Sequence, residues 1–201
     1  MNTFFFQAHF FKSAAKLKQL PACEDLVEVA FAGRSNSGKS SAINTLCNQK
    51  SLARTSKTPG RTQLINIFTL DDQRSLIDLP GYGFAKVAAN IRQQWRGLLS
   101  DYIEQRECLK GVVMMMDCRH PLKPLDKQML QWCTHLGLPV HVLLTKSDKL
   151  KKGPAKNTLL KLRQMLKEYD NVSVQLFSSL KKSGIDEAHQ VLGEWFGLED
   201  V

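Results

Sequence analysis

The stretch Gly33-Arg-Ser-Asn-Ser-Gly-Lys-Ser40 constrains this chain more than any other, because it fits the pattern G-x-x-x-x-G-K-[S/T]. The run before it, Leu26 to Ala32, is mostly apolar and strand-like, and Ser40 to Leu46 has apolar positions that fit the first turns of a helix. A strand, a glycine-bounded turn and a helix in that order let the backbone curl until successive N–H groups point at phosphate oxygens. Gly33, Arg34, Ser35, Asn36, Ser37 and Gly38 make the turn, and Lys39 brings a positive charge to the β- and γ-phosphates. Ser40 offers a hydroxyl to Mg²⁺, and Ser41 continues the helix start whose dipole favours an anion.

Strand and helix signals alternate through the rest of the chain. Strands are predicted over 26–32, 64–70, 75–79, 111–117, 140–145 and 172–177, and later helices over 91–106, 125–136, 157–168 and 185–196. Asp71-Asp72-Gln73 reads as a tight turn between the second and third strands. The expected fold class is α/β, with a six-stranded, mostly parallel sheet, one antiparallel strand and helices on both faces. A chain of 201 residues leaves room for one domain, placed over residues 26–201. Residues 1–25 read as an extension, either an extra helix or a loose arm, with Phe4, Phe5, Phe6, Phe10 and Phe11 docking on the core.

Three further strand ends carry chemistry. Asp78-Leu79-Pro80-Gly81 closes the strand over 75–79, where a carboxylate can reach the water shell of Mg²⁺ and a glycine amide can sense a γ-phosphate. Alone, D-x-x-G marks a simple turn; downstream of a phosphate loop it takes on this second meaning. Thr145-Lys146-Ser147-Asp148 ends another strand. Its Asp can accept two hydrogen bonds from the N1–H and N2–H₂ edge of guanine, a donor pair that adenine lacks, and the Lys146 stem can cover the base. The wrong base would leave a partly buried carboxylate unpaired, so GTP is selected over ATP. Phe177, Ser178 and Ser179 form a small-residue loop whose backbone can meet guanine O6.

Composition narrows the class. With 43% hydrophobic and 23% charged residues the chain is neither disordered nor membrane-spanning, for no apolar run approaches the ~20 residues a bilayer helix needs. The opening MNTFFFQAHFF lacks the basic start and small-residue cleavage site of a secretory signal. Cys23, Cys47, Cys108, Cys118 and Cys133 are odd in number and scattered, which suits free thiols in a reducing cytoplasm. No Cys/His spacing suggests zinc, and Met114, Met115 and Met116 read as sheet core. The net charge is +9, and ten basic residues lie between Lys146 and Lys182 against three acidic ones. That asymmetry points to a polyanionic partner, nucleic acid first and an anionic membrane surface second, or to a merely solvated lysine-rich face.

Taken together, GRSNSGKSS, TPGRTQ, DLPGYGFA, TKSDK and FSS closely resemble the EngB (YihA/YsxC) family of bacterial GTP-binding proteins, in the TrmE-Era-EngA-EngB-septin-like branch, over nearly the whole chain. The resemblance implies a three-layer P-loop GTPase fold and a monomeric, cytoplasmic molecular switch with slow GTP hydrolysis. It further implies a part in assembly of the large ribosomal subunit and in septation, with ribosomal RNA and proteins as partners and no DNA sequence specificity. In such proteins a switch-loop Thr binds Mg²⁺ and answers the γ-phosphate. Here Thr62 is the choice and Thr58 the fallback, with Gly60 and Arg61 lining the same loop. Lys39, Thr62 and Gly81 are then the expected catalytic groups, and Ser40, Thr62 and, through water, Asp78 the Mg²⁺ set. Tyr82 stands where other GTPases place a water-orienting Gln, and a phenol cannot reproduce that amide's paired donor and acceptor. Asn36 matches the position at which potassium-dependent relatives hold K⁺ against the phosphates, or is an ordinary loop former. Arg119 and His120 are expected to be structural.

Overall fold

A computed structural model describes residues 2–53, 64–82, 89–169 and 171–198, the side chains of residues 89–96 excepted. Seven strands form one sheet: β1 (His9–Ala14), β2 (Val27–Gly33), β3 (Ile65–Thr69), β4 (Arg74–Asp78), β5 (Leu109–Asp117), β6 (Val140–Thr145) and β7 (Val172–Leu176). Their spatial order is β1-β3-β4-β2-β5-β6-β7. β3 pairs antiparallel with both neighbours, β1 and β4, while the remaining pairs are parallel. One strand therefore runs against all the others, as expected, but the sheet has seven strands where the sequence suggested six.

The additional strand comes from the extension. Residues Thr3–Gln7 make a 3₁₀ turn that buries Phe5, and His9–Ala14 then pairs with β3. The Phe5 ring stacks on His189 with centroids 4.4 Å apart, and the Asn2 amide donates to His189 Nδ1 at 3.1 Å. Two of the five phenylalanines stay largely in solvent: Phe10 is 54% exposed, touching the core only edge-on at Phe68, and Phe11 is 52% exposed. The β1 register slips between Phe10 and Lys12, so Phe11 is the extra residue of a bulge on an edge strand.

Five α-helices cover the sheet: α1 (Lys39–Leu46), α2 (Ala89–Gln105), α3 (Pro124–His135), α4 (Lys152–Met165) and α5 (Ile185–Phe196). Because successive strand side chains point to opposite faces, a strand covered on both sides must be apolar at consecutive positions. β5 shows it: Val112, Met114 and Met116 pack with α2, α3 and α4, while Val113 and Met115 pack with α1 and α5. The three consecutive methionines are core, as expected. On the α2 side lies one buried ion pair, Glu28 with Arg106 at 2.6 Å, to which the Tyr102 hydroxyl also donates at 2.6 Å.

This topology positions the site. β2, β4, β5, β6 and β7 are mutually aligned, so their carboxyl ends, at Gly33, Asp78, Asp117, Thr145 and Leu176, open along one edge of the sheet. That edge is where open α/β sheets bind ligands.

Candidate nucleotide site

The loop between β2 and α1 curls because its residues take unusual backbone conformations. Asn36 has φ 65° and Gly38 φ 94°, both left-handed. Gly33 is required by close approach, since a Cβ there would lie 2.6 Å from Ser37 Oγ and 3.1 Å from the Met115 carbonyl. The loop's carbonyls are held from outside. Thr145 Oγ1 donates to the Ser37 carbonyl at 2.5 Å, and Lys146 Nζ donates to that of Asn36 at 2.6 Å. Lys39 and Ser40 are the first two residues of α1, so their amides have no intrahelical acceptor and point along the axis. Curled backbone, helix start and ammonium together form a cradle for an anion.

Asp78, the last residue of β4, is 4% exposed and contacts Lys39 Nζ, while Asn66 Nδ2 donates to its other oxygen at 3.3 Å. The carboxylate and the Ser40 hydroxyl are hard oxygen donors of the kind Mg²⁺ takes alongside phosphate oxygens and water. Among the described residues no group of three or more His, Cys, Asp or Glu could hold a metal by itself. Asp78 and the Ser40 hydroxyl fit a cation that takes its other ligands from phosphate and water. The contact between Lys39 and Asp78 is complementary to such a ligand, whose cation suits the carboxylate and whose phosphates suit the ammonium.

The segment after Asp78 is stitched to the phosphate loop by two backbone hydrogen bonds, Tyr82 N to Gly33 O at 3.2 Å and Ser35 N to Tyr82 O at 3.1 Å. Gly81 sits between them, where a Cβ would lie 3.3 Å from Ser35 Oγ. The Tyr82 phenol is turned away, donating at 3.0 Å to Asp126 Oδ1 in the first turn of α3. Burial and the neighbouring carboxylate push the phenol's pKa up, and burial raises that of Asp126. The side chain at position 82 is thus part of the α3 face.

At the base end, Ser178 Oγ donates to Asp148 Oδ1 at 2.5 Å, which fixes the carboxylate beside the loop after β7. Ser178 and Ser183 exchange backbone hydrogen bonds at 3.1 Å, and the Lys181 amide donates to Ser178 Oγ at 3.1 Å. Lys146 has φ 56°, and its stem runs from the end of β6 to the phosphate loop. Phe177 and Leu79 contribute backbone only, since both side chains are buried in the core. The Ser147 amide donates to the Phe177 carbonyl at 3.2 Å.

The structure thus gathers residues 33–41, 78–81, 145–148 and 177–179 along one edge. Thr58, Gly60, Arg61 and Thr62 lie outside the described residues. Sequence reasoning passed over Asp117, which ends β5 on the same edge. Its carboxylate takes a two-pronged contact from Arg119, 2.9 Å to Nε and 2.7 Å to Nη2, and lies 3.2 Å from Lys146 Nζ. These cations hold it well below the usual carboxylate range, Arg119 foremost. Asp117 thus bridges Arg119 and Lys146, the residue whose ammonium also reaches the Asn36 carbonyl. A signal was present: like Asp78, Asp117 is an acid at the carboxyl end of a buried strand. Asn66 could not have been found, because its reach to Asp78 depends on the antiparallel register of β3 with β4.

Comparison with known proteins agrees with this geometry. Residues 28–146 match the family of 50S ribosome-binding GTPases. A protein of Hydrogenovibrio crunogenus described as a probable GTP-binding protein EngB is 59% identical over 195 residues, covering 96% of this chain and 91% of that protein. Among solved structures, a probable GTP-binding protein EngB superposes with a TM-score of 0.68 at 23% identity, over 86% of this chain and 100% of that one. Era, in complex with MgGDPNP and nucleotides 1506–1542 of 16S ribosomal RNA, superposes with a TM-score of 0.66 at 24% identity, over 85% and 56% of the two chains. At these identities the superpositions speak to the fold.

Proposed function

Because the chain belongs to the EngB family of GTP-binding proteins, within the 50S ribosome-binding GTPases, we propose that its GTP hydrolysis acts as a switch in assembly of the large ribosomal subunit. Guanine-nucleotide binding and GTPase activity come with the family. The carrying observation is the convergence of the phosphate loop, Asp78 and Asp148 on one sheet edge, with Asp148 oriented by Ser178.

In this reading Asp148 accepts both hydrogen bonds of the guanine edge, with the Lys146 stem against the base and the backbone of Ser178 and Ser179 near O6. The amides of Asn36 and Gly38 to Ser41 and the Lys39 ammonium hold the phosphates, while those of Ser35 and Ser37 bond to the Tyr82 and Arg34 carbonyls. On binding, Lys39 exchanges Asp78 for phosphate oxygens. Ser40, Thr62 and, through water, Asp78 are the residues for Mg²⁺, which when bound neutralises charge on the β- and γ-phosphates. Water attacks the γ-phosphorus in line with the departing β-phosphate oxygen, and Lys39 with the loop amides offsets charge spread over the equatorial oxygens. The Gly81 amide senses the γ-phosphate. With the Tyr82 phenol engaged by Asp126, no side chain at that position orients the water, and intrinsic turnover is slow. We assign Asn36 to a potassium ion against the phosphates; equal turnover in Na⁺ and K⁺ buffers removes that assignment.

Ribosomal RNA as the partner is supported by α4. Lys152, Lys156, Arg163 and Lys167 fall along one flank of the helix and its following turn, all exposed. Cytoplasmic location and a need for the switch in septation belong to the same proposal. Among the described residues no helix is long and apolar enough to cross a membrane.

The test is nucleotide-dependent co-sedimentation with purified ribosomal subunits over a salt series, beside anionic liposomes. Large-subunit binding favoured by GTP over GDP, weakening with salt, supports the reading; liposome binding alone overturns it. Asp148→Asn, which should move preference from guanine to xanthine nucleotides by at least about 10²-fold, ties the effect to the base.

A further inference from the structure

Two cysteines that nucleotide binding does not use meet at the opposite edge of the sheet. Cys23 lies in the extension just before β2, and Cys108 lies between α2 and β5, 85 residues on. Their sulfurs are 2.7 Å apart, about 0.7 Å longer than a disulfide bond. The backbone brings them there. The Leu26 amide donates to the Cys23 carbonyl at 3.1 Å and the Glu28 amide to the Cys108 carbonyl at 2.8 Å, so both cysteines are pinned to the start of β2. Arg106 adds a third tie, donating to the Pro21 carbonyl at 2.7 Å while holding Glu28. Cys23 is half-exposed and Cys108 buried; the other three cysteines are buried as well.

We propose that Cys23 and Cys108 are a reversible disulfide site, oxidised by low-molecular-weight disulfides, that covalently fastens the extension to the α2–β5 junction. The order of events follows from exposure. The Cys23 thiolate attacks one sulfur of the small disulfide, whose S–S bond breaks and releases one thiolate. The mixed disulfide on Cys23 is then attacked by the Cys108 sulfur, releasing the second thiolate. Both thiolates leave with the two protons of the protein thiols. Two cysteines are oxidised, one small disulfide is reduced to two thiols, and nothing else is consumed. Burial and the adjacent Cys23 sulfur push the Cys108 thiol's pKa up, so Cys108 is the resolving partner.

The closed loop encloses the phosphate loop, β3, β4 and α2, while the nucleotide edge lies at the far end of the strands. Oxidation is therefore expected to stabilise the fold without changing GDP affinity. The experiment treats the reduced full chain with graded ratios of reduced to oxidised glutathione, then acid-quenches, alkylates and maps thiols by mass spectrometry. Expected are the loss of two thiols, a cross-linked Cys23–Cys108 peptide, and a rise in Tm of about 5–15 °C that dithiothreitol reverses. Cys23→Ser should lose all three effects at unchanged GDP affinity, and Cys108→Ala should stop at a stable glutathione adduct on Cys23. A persistent adduct on Cys23 of the native sequence without cross-link, a cross-link formed only in denaturant, or no loss of thiols would each overturn the proposal.

Discussion

At the scale of single residues, Tyr82 shows how a position can be recognised from the sequence while its side chain's partner is not. The D-x-x-G spacing located it beside the γ-phosphate, and its backbone is indeed stitched to Gly33 and Ser35, but the phenol serves Asp126. Tyr82→Phe should therefore leave single-turnover GTP hydrolysis within about twofold, while costing about 1–2 kcal/mol in urea denaturation for the lost bond to a charged acceptor. A change of more than tenfold in turnover would mean that the hydroxyl reaches the reacting water. Ser37 offers the opposite case. Its hydroxyl is the one buried side-chain polar atom without a hydrogen-bond partner among the described residues, tucked beneath the loop against Gly33. Ser37→Ala should raise stability by about 1 kcal/mol with GDP affinity unchanged, since its carbonyl and amide stay in place.

At the scale of elements, legibility followed burial. β6 and α5 were foreseen to the residue, because Val140–Thr145 is a mostly apolar run, buried throughout, and α5 carries a clear apolar face between Gly184 and Gly197. α4 begins at Lys152 rather than 157, since Gly153 and Pro154 read as breakers, whereas a proline in a first helical turn has no needed N–H to lose. β1 was missed for a different reason. Its sequence HFFKSA neither alternates nor forms an apolar run, and its pairing depends on β3, with Ser13 opposite Asn66. Edge strands whose register is set by a distant partner leave little local signal. The Glu28–Arg106–Tyr102 group joins β2 to the end of α2 and was likewise invisible. Arg106→Met should cost about 3–5 kcal/mol by leaving Glu28 buried and uncompensated, measured by chemical denaturation. Replacing Glu28 with Gln as well should recover part of that loss.

For the whole molecule, acid sensitivity follows from two buried imidazoles. His141 lies between Ser173 Oγ and Gln175 Oε1, each at 2.7 Å, and His189 lies between Phe5 and the Leu46 carbonyl. Burial lowers both pKa values from the ordinary 6.5. The unfolded chain therefore binds more protons than the native one below about pH 6.5, and stability that is full above that value is lost as the pH falls toward the native pKa values. Unfolding free energy should decline between about pH 7.5 and 5.5, and His141→Gln should flatten part of the slope; parallel curves would refute the assignment.

The amino-terminal turn and strand also impose an order on synthesis. Phe5 shares its core with Phe196, Asn2 bonds to His189 and β1 pairs with β3, so this segment is made well before the residues it packs against. Until α5 has been made, Phe4, Phe5 and Phe6 lack the core that covers Phe5, and such transiently uncovered apolar segments are prone to aggregation.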